Sequence, residues 1–220
     1  MANSKQNTLA AASLSLQEIE PLTQNQLRAF ESENHLVLHG VAGTGKTFIS
    51  CYLAFDDMVK NIYDRFILLR SAVPTRDIGF LPGSEKEKTA IYEEPYKDVC
   101  VELFQRGDAY EILKTKNLVT FMTTSFIRGI TLKNCIILVD ECQNMTFHEL
   151  DSIITRVGEN SRIIFSGDFR QSDLAKNGLH DFFRILKAMN NFDFIDFDVK
   201  DIVRSGFVKD YITAKLELGL

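Results

Sequence analysis

No stretch of this 220-residue chain approaches the roughly 18 apolar residues that a membrane span needs, and its N-terminus lacks a basic-then-apolar signal. A cytoplasmic protein is the expectation. The four cysteines (Cys51, Cys100, Cys135, Cys142) include no Cys-x-x-Cys pair, which argues for reduced thiols over disulfides or a zinc site. Positive charge is not in excess. With a net charge of −5, no broad basic field advertises nucleic-acid binding, and any such contact must be a local patch. There is no internal repeat and no second segment of comparable size. The hydrophobic (45%) and charged (25%) fractions are ordinary globular values, and the length suits one α/β domain with a real core.

What is present begins with Gly40-Val41-Ala42-Gly43-Thr44-Gly45-Lys46-Thr47, a complete phosphate-binding loop. A short apolar run of strand character, Leu36-Val37-Leu38, precedes it, and Phe48 to Ala54 can continue as a helix. The glycines let the backbone N–H groups turn inward toward a polyphosphate, and the helix adds the positive end of its dipole. Lys46 is placed to reach the β- and γ-phosphates, and the Thr47 hydroxyl to hold magnesium. A glycine-rich turn matching by chance is the bland alternative, and the strand-loop-helix setting argues against it. The expectation is a nucleoside triphosphate site.

Cys135 to Val139 is apolar without alternation and ends in Asp140-Glu141. Such a run suits a central parallel strand buried on both faces. At its carboxyl end, where open α/β sheets place ligands, Asp140 can orient water on magnesium. Glu141 is the natural base for the attacking water. Two acids at a strand end otherwise mark only a solvated loop.

Residues 1–13 read as a loose leader and 14–220 as the domain. Thr23 is the expected N-cap of a helix through Ala29. Strands are expected at 36–39, 65–70, 118–122, 162–165 and 192–197 beside the acid strand. Helices are expected from the loop to about Lys60 and over 96–105, 179–189 and 208–216. Thr146 with Glu149 forms a capping box for another. Ser71 to Pro95, with Pro74, Pro82, Gly79 and Gly83, reads as irregular and too long for an ordinary connection. Alternating strands and helices predict an α/β fold with a mainly parallel sheet and helices on both faces. Lys46 and Asp140 lie 94 positions apart with at least two strand candidates between. In that arrangement the acid strand is not the immediate sheet neighbour of the phosphate-loop strand in sequence, which resembles RecA-like motor ATPases more than nucleoside kinases.

Asp140-Glu141-Cys142-Gln143-Asn144 resembles the Asp-Glu-Ala-Gln-Asn box of PhoH-family ATPases, relatives of superfamily one helicases. Further segments are similar in order along the chain. They are Thr23 to Gln26, Ile78 to Gly83, Phe126 to Leu132, Ser166 to Leu174 and Asp201 to Arg204, covering about Pro21 to Ala214. The length would suit a viral or minimal member. Ile130, Ser205-Gly206-Phe207 and Cys142 depart from the family pattern without touching a magnesium or phosphate residue. The resemblance implies a single RecA-like P-loop NTPase domain using ATP and Mg2+. It makes Gln26 the adenine reader, whose amide complements adenine's amino group and ring nitrogen. It makes Gln171 a sensor of the γ-phosphate and its water, and Arg204 or Arg128 a grip on transition-state charge. A solvated helix glutamine, a turn residue and a surface ion pair are the respective bland readings of Gln26, Gln171 and Arg204.

The expected partners are ATP and single-stranded RNA or DNA, met by Arg70, Arg76 and the loop 71–83. Phe80 reads as a packing anchor rather than a base-stacking platform, and Phe192, Phe194 and Phe197 as sheet packing. A nucleotide-gated regulatory or assembly protein is the second reading, favoured by the acidic net charge. A small-molecule kinase is the third. Because the chain has one lobe, a neighbouring copy is the expected arginine donor. A hexameric ring is the expected closure, by resemblance to other single-lobe motors.

Overall fold

Thr23 starts the first helix by accepting a hydrogen bond from the Gln26 backbone N–H at 3.3 Å, which satisfies one of the orphan donors of the first turn. The computed structural model describes Leu9 and residues 12–71, 85–127, 129–169 and 178–219. Its strands are β1 (His35–Gly40), β2 (Arg65–Arg70), β3 (Val119–Thr123), β4 (Cys135–Asp140), β5 (Ser161–Gly167) and β6 (Phe192–Phe197). Its helices are α1 (Gln24–Glu31), α2 (Lys46–Val59), α3 (Glu85–Phe104), α4 (Ala109–Thr115), α5 (Phe147–Ile154), α6 (Leu179–Ala188) and α7 (Gly206–Glu217).

All six strands pair in parallel, in the order β3-β2-β4-β5-β1-β6. The acid strand β4 is therefore separated from the loop strand β1 by β5, as the spacing of the two motifs predicts. Every residue of β4 is buried, the signature of a strand covered on both faces. Alternate side chains build two cores. Leu36, Leu38, Phe66, Leu68 and Leu138 meet α2, α3 and α4 on one face. Val37, Ile67, Ile137, Val139 and Phe165 meet α5 and α6 on the other. The connection leaving β1 thus crosses one face while that leaving β5 crosses the other. Their carboxyl ends diverge and open the crevice in which such sheets bind ligands.

The capping box of α5 is present, with Thr146 accepting from the Glu149 N–H and the Glu149 carboxylate accepting from the Thr146 N–H at 2.9 Å. Three features differ from the sequence expectation. First, α3 begins at Glu85 and carries Pro95 in its interior, where an irregular segment is expected through Pro95. Burial of Tyr96, Cys100, Leu103 and Phe104 against the sheet outweighs the helix-breaking tendency of the proline. Second, α4 has no forecast counterpart; its short length leaves little periodicity to read. Third, Leu9 and Ala12, within the stretch expected to be loose, are buried in the first core. The Gly-Phe-Leu-Pro-Gly segment at 79–83, Phe80 and Arg76 lie outside the described residues. Among the described residues no helix is long and apolar enough to cross a membrane.

Candidate active site

Gly40 leaves β1 with φ +132°, and a Cβ there would stand 1.9 Å from the Phe197 carbonyl oxygen of β6. Only glycine permits that approach. The following loop is folded on itself. Thr44, fully buried, donates to the Val41 carbonyl at 3.1 Å, and Gly45 adopts the left-handed conformation that opens α2. The Lys46 ammonium donates to the Gly40 and Val41 carbonyls, each at 2.8 Å. Burial pulls the Lys46 pKa below its ordinary value, while Asp168, Glu141 and Asp140 oppose that pull.

Two elements outside the loop brace it. Gln26, buried on α1, donates from Nε2 to the Thr44 carbonyl at 3.2 Å and accepts the Leu22 N–H at 2.7 Å. The Val203 N–H donates to the Gly43 carbonyl at 3.0 Å, and the Arg204 stem lies over Gly43, so that a Cβ on Gly43 would meet Arg204 Cγ at 3.0 Å. Arg204 therefore sits beside the loop of its own chain.

From β4, the Asp140 carboxylate accepts from the Thr47 hydroxyl, 3.1 and 3.2 Å from its two oxygens. It also accepts from the buried Tyr96 hydroxyl at 2.9 Å. Burial and the neighbouring Asp140 push the Tyr96 phenol well above the ordinary tyrosine pKa. Glu141 is left-handed at φ 51°, and its carboxylate accepts from Gln143 Nε2 at 2.6 Å. The same Gln143 accepts the Asp168 N–H at 3.2 Å through Oε1. One amide thereby links the end of β4 to the end of β5. It also explains Gly167, where a Cβ would stand 2.4 Å from Gln143 Oε1. Cys142 is buried and donates its thiol to the Ser166 carbonyl at 3.0 Å; burial raises its pKa, so it packs rather than reacts.

These groups open into one cleft of about 950 Å³, with Ala42, Gly43, Gly45, Lys46 and Thr47 on its floor. Of the residues expected from sequence, Gln26, Lys46, Thr47, Asp140, Glu141 and Arg204 line it together. Gly40, Val41 and Thr44 shape the loop beneath. Arg128 and Gln171 lie outside the described residues. Sequence reasoning gave no role to Tyr96, or to Asp98, Val99 and Glu102 on the α3 wall of the cleft. Their only linear signal is position within the helix expected over 96–105, which does not mark them as cleft residues.

A model for the family described as PhoH, PhoH-like protein, matches residues 18–215. The chain belongs to the PhoH-like family. A PhoH-like protein of Synechocystis sp. is 32% identical over 192 residues, which cover 86% of this chain and 58% of that protein. Protein PhoH of Escherichia coli (strain K12) is 33% identical over 184 residues, 81% of this chain and 52% of that protein. The chain spans little more than half the length of these two relatives. In fold it is similar to the large terminase from a thermophilic bacteriophage, at a TM-score of 0.56 and 12% identity over 88% of this chain and 50% of that one. It is also similar to the UvsW helicase from bacteriophage T4, at a TM-score of 0.51 and 16% identity over 89% of this chain and 67% of that one. These likenesses place the chain among RecA-like P-loop NTPase folds.

Proposed function

We propose that this chain is a magnesium-dependent ATPase whose turnover is coupled to movement on single-stranded RNA or DNA. The observation that carries the reading is the convergence of Lys46, the Thr47–Asp140 pair and Glu141 at the carboxyl ends of β1 and β4. The loop N–H groups and Lys46 hold the phosphates, exchanging the lysine's present carbonyl partners for phosphate oxygens. Thr47 and Asp140 offer hard oxygen donors side by side, a set that fits magnesium, which prefers one or two carboxylates plus substrate phosphates. Bound there, the ion would supply charge neutralisation on the phosphate oxygens. Glu141 accepts the proton of the attacking water, held in place by Gln143.

Selection of ATP falls to Gln26. Its amide keeps a second N–H and a second lone pair beyond its bonds to Thr44 and Leu22, enough to meet adenine. Arg204 serves its own site, which leaves Arg128 as the arginine to be donated by a neighbouring copy in a head-to-tail ring, hexameric by analogy with single-lobe motors. The nucleic-acid part rests on the motif resemblance to superfamily one motors and on Arg70, which ends β2 directly beside Asp140, its register partner on β4.

The net charge of −5 favours a second reading, a nucleotide-gated regulatory ATPase without nucleic-acid work. Phosphate release measured with and without single-stranded RNA or DNA separates the two. Several-fold stimulation is expected. Unstimulated turnover would support the regulatory reading, and no magnesium-dependent turnover under any condition would overturn both.

A further inference from the structure

α3 reaches the candidate site through two tyrosines one turn apart. The Tyr92 ring lies 5.6 Å from the Arg70 guanidinium, and the Tyr96 hydroxyl reaches Asp140. Arg70 and Asp140 are register partners at the carboxyl ends of β2 and β4, so one helix face spans the ends of both strands. Tyr96 is 1% exposed and Asp140 is 4% exposed. A carboxylate so enclosed needs donors, and their placement sets its rotation.

The two donors on Asp140 differ in what they specify. Thr47 stands almost equally far from both carboxylate oxygens, at 3.1 and 3.2 Å, and so selects neither. Tyr96 reaches Oδ2 alone, at 2.9 Å. The phenol therefore breaks the symmetry of the carboxylate, occupying Oδ2 and leaving Oδ1 the more available. Hydrogen-bond donors behind metal-binding carboxylates act in this way, by orienting the ligand.

We propose that Tyr96 is a positioning residue that fixes the Asp140 carboxylate for the magnesium–nucleotide complex, an inference that rests on reading Asp140 as the magnesium carboxylate. Tyr96 is neither on the phosphate loop nor on the acid strand, and it does not line the cleft. Its ring packs beside Phe121, at 6.0 Å between centroids, so Tyr96→Phe keeps the packing and deletes only the hydroxyl.

The test measures affinity for a fluorescent ADP analogue across a Mg2+ titration and again in EDTA, for wild type, Tyr96→Phe and Tyr110→Phe. Tyr110 is the matched control, a buried phenol that donates to the Glu93 carboxylate at 2.7 Å away from the cleft residues. In Tyr96→Phe the Mg2+ concentration giving half the effect is expected to rise about tenfold, with EDTA affinity unchanged within about twofold. Tyr110→Phe is expected to follow the wild-type curve. Superimposable curves for Tyr96→Phe and wild type would overturn the inference and leave the nucleotide site standing. Equal weakening with and without Mg2+, or an equal shift in Tyr110→Phe, would make Tyr96 merely structural and also overturn it. Absence of any Mg2+ effect in wild type would remove the reading of Asp140 itself, and the inference with it.

Discussion

Replacing Glu141 by Gln separates nucleotide binding from chemistry. Gln143 donates to Glu141 at 2.6 Å, and an amide keeps an oxygen to accept that bond, so Gln143 stays linked to the Asp168 N–H. Asp140, Thr47 and the loop are untouched. What disappears is a carboxylate able to take a proton from water. Loss of a general base costs roughly 10²- to 10⁴-fold in turnover, equivalent to about 2.7–5.4 kcal/mol of barrier at 1.36 kcal/mol per decade. Phosphate release at saturating ATP and magnesium measures this, alongside an equilibrium Kd for ATP expected to stay within about twofold. Turnover above about a tenth of wild type would place the base elsewhere. Loss of ATP binding with normal turnover per bound ATP would make Glu141 a ligand. The backbone gives an independent readout at the same position. Glu141 is left-handed, with φ 51° and ψ 39°, a conformation costing most L-residues about 1–2 kcal/mol that asparagine visits more readily. Glu141→Asn is therefore expected to be as inactive, yet more stable by roughly 0.5–1 kcal/mol, about 1–4 °C in Tm for a domain of this size. A fall in Tm would refute the strain argument.

Lys46→Ala is expected to abolish hydrolysis while leaving the chain folded, since the ammonium's present partners are two loop carbonyls and, at 3.5 Å, the Thr44 hydroxyl, all of which water can satisfy; wild-type turnover in the folded variant would remove the loop from the chemistry. Gly40→Ala places a Cβ 1.9 Å from a β6 carbonyl at φ +132° and is expected to lose at least about 3 kcal/mol in urea unfolding; an unchanged midpoint and slope would refute the close approach. For the arginines, Lys46→Ala subunits are mixed with Arg204→Ala or Arg128→Ala subunits. Activity is expected to recover in the mixture with Arg128→Ala and not with Arg204→Ala. Recovery with Arg204→Ala would reverse the two assignments, and a fully active strict monomer would overturn the ring.

Local chemistry made much of this protein readable along the chain. The loop from Gly40 to Thr47 works through backbone N–H groups that glycine spacing alone arranges, and β4 announces its double burial by unbroken apolar character. The caps at Thr23 and Thr146 are contacts three residues long, so a linear reading finds them. Tertiary structure decided what depends on distant partners. Pro95 sits inside a helix because Tyr96, Cys100 and Leu103 gain more by burial against the sheet than the chain loses to proline. The Tyr96 hydroxyl meets Asp140 across 44 positions of sequence, and no periodicity encodes that meeting. Gln26 grips Thr44, and Arg204 lies over Gly43, only because β6 pairs beside β1 and carries the chain end back across the loop. Side-chain type reveals which chemistry a residue can perform; the order of strands in the sheet determines which of those residues meet.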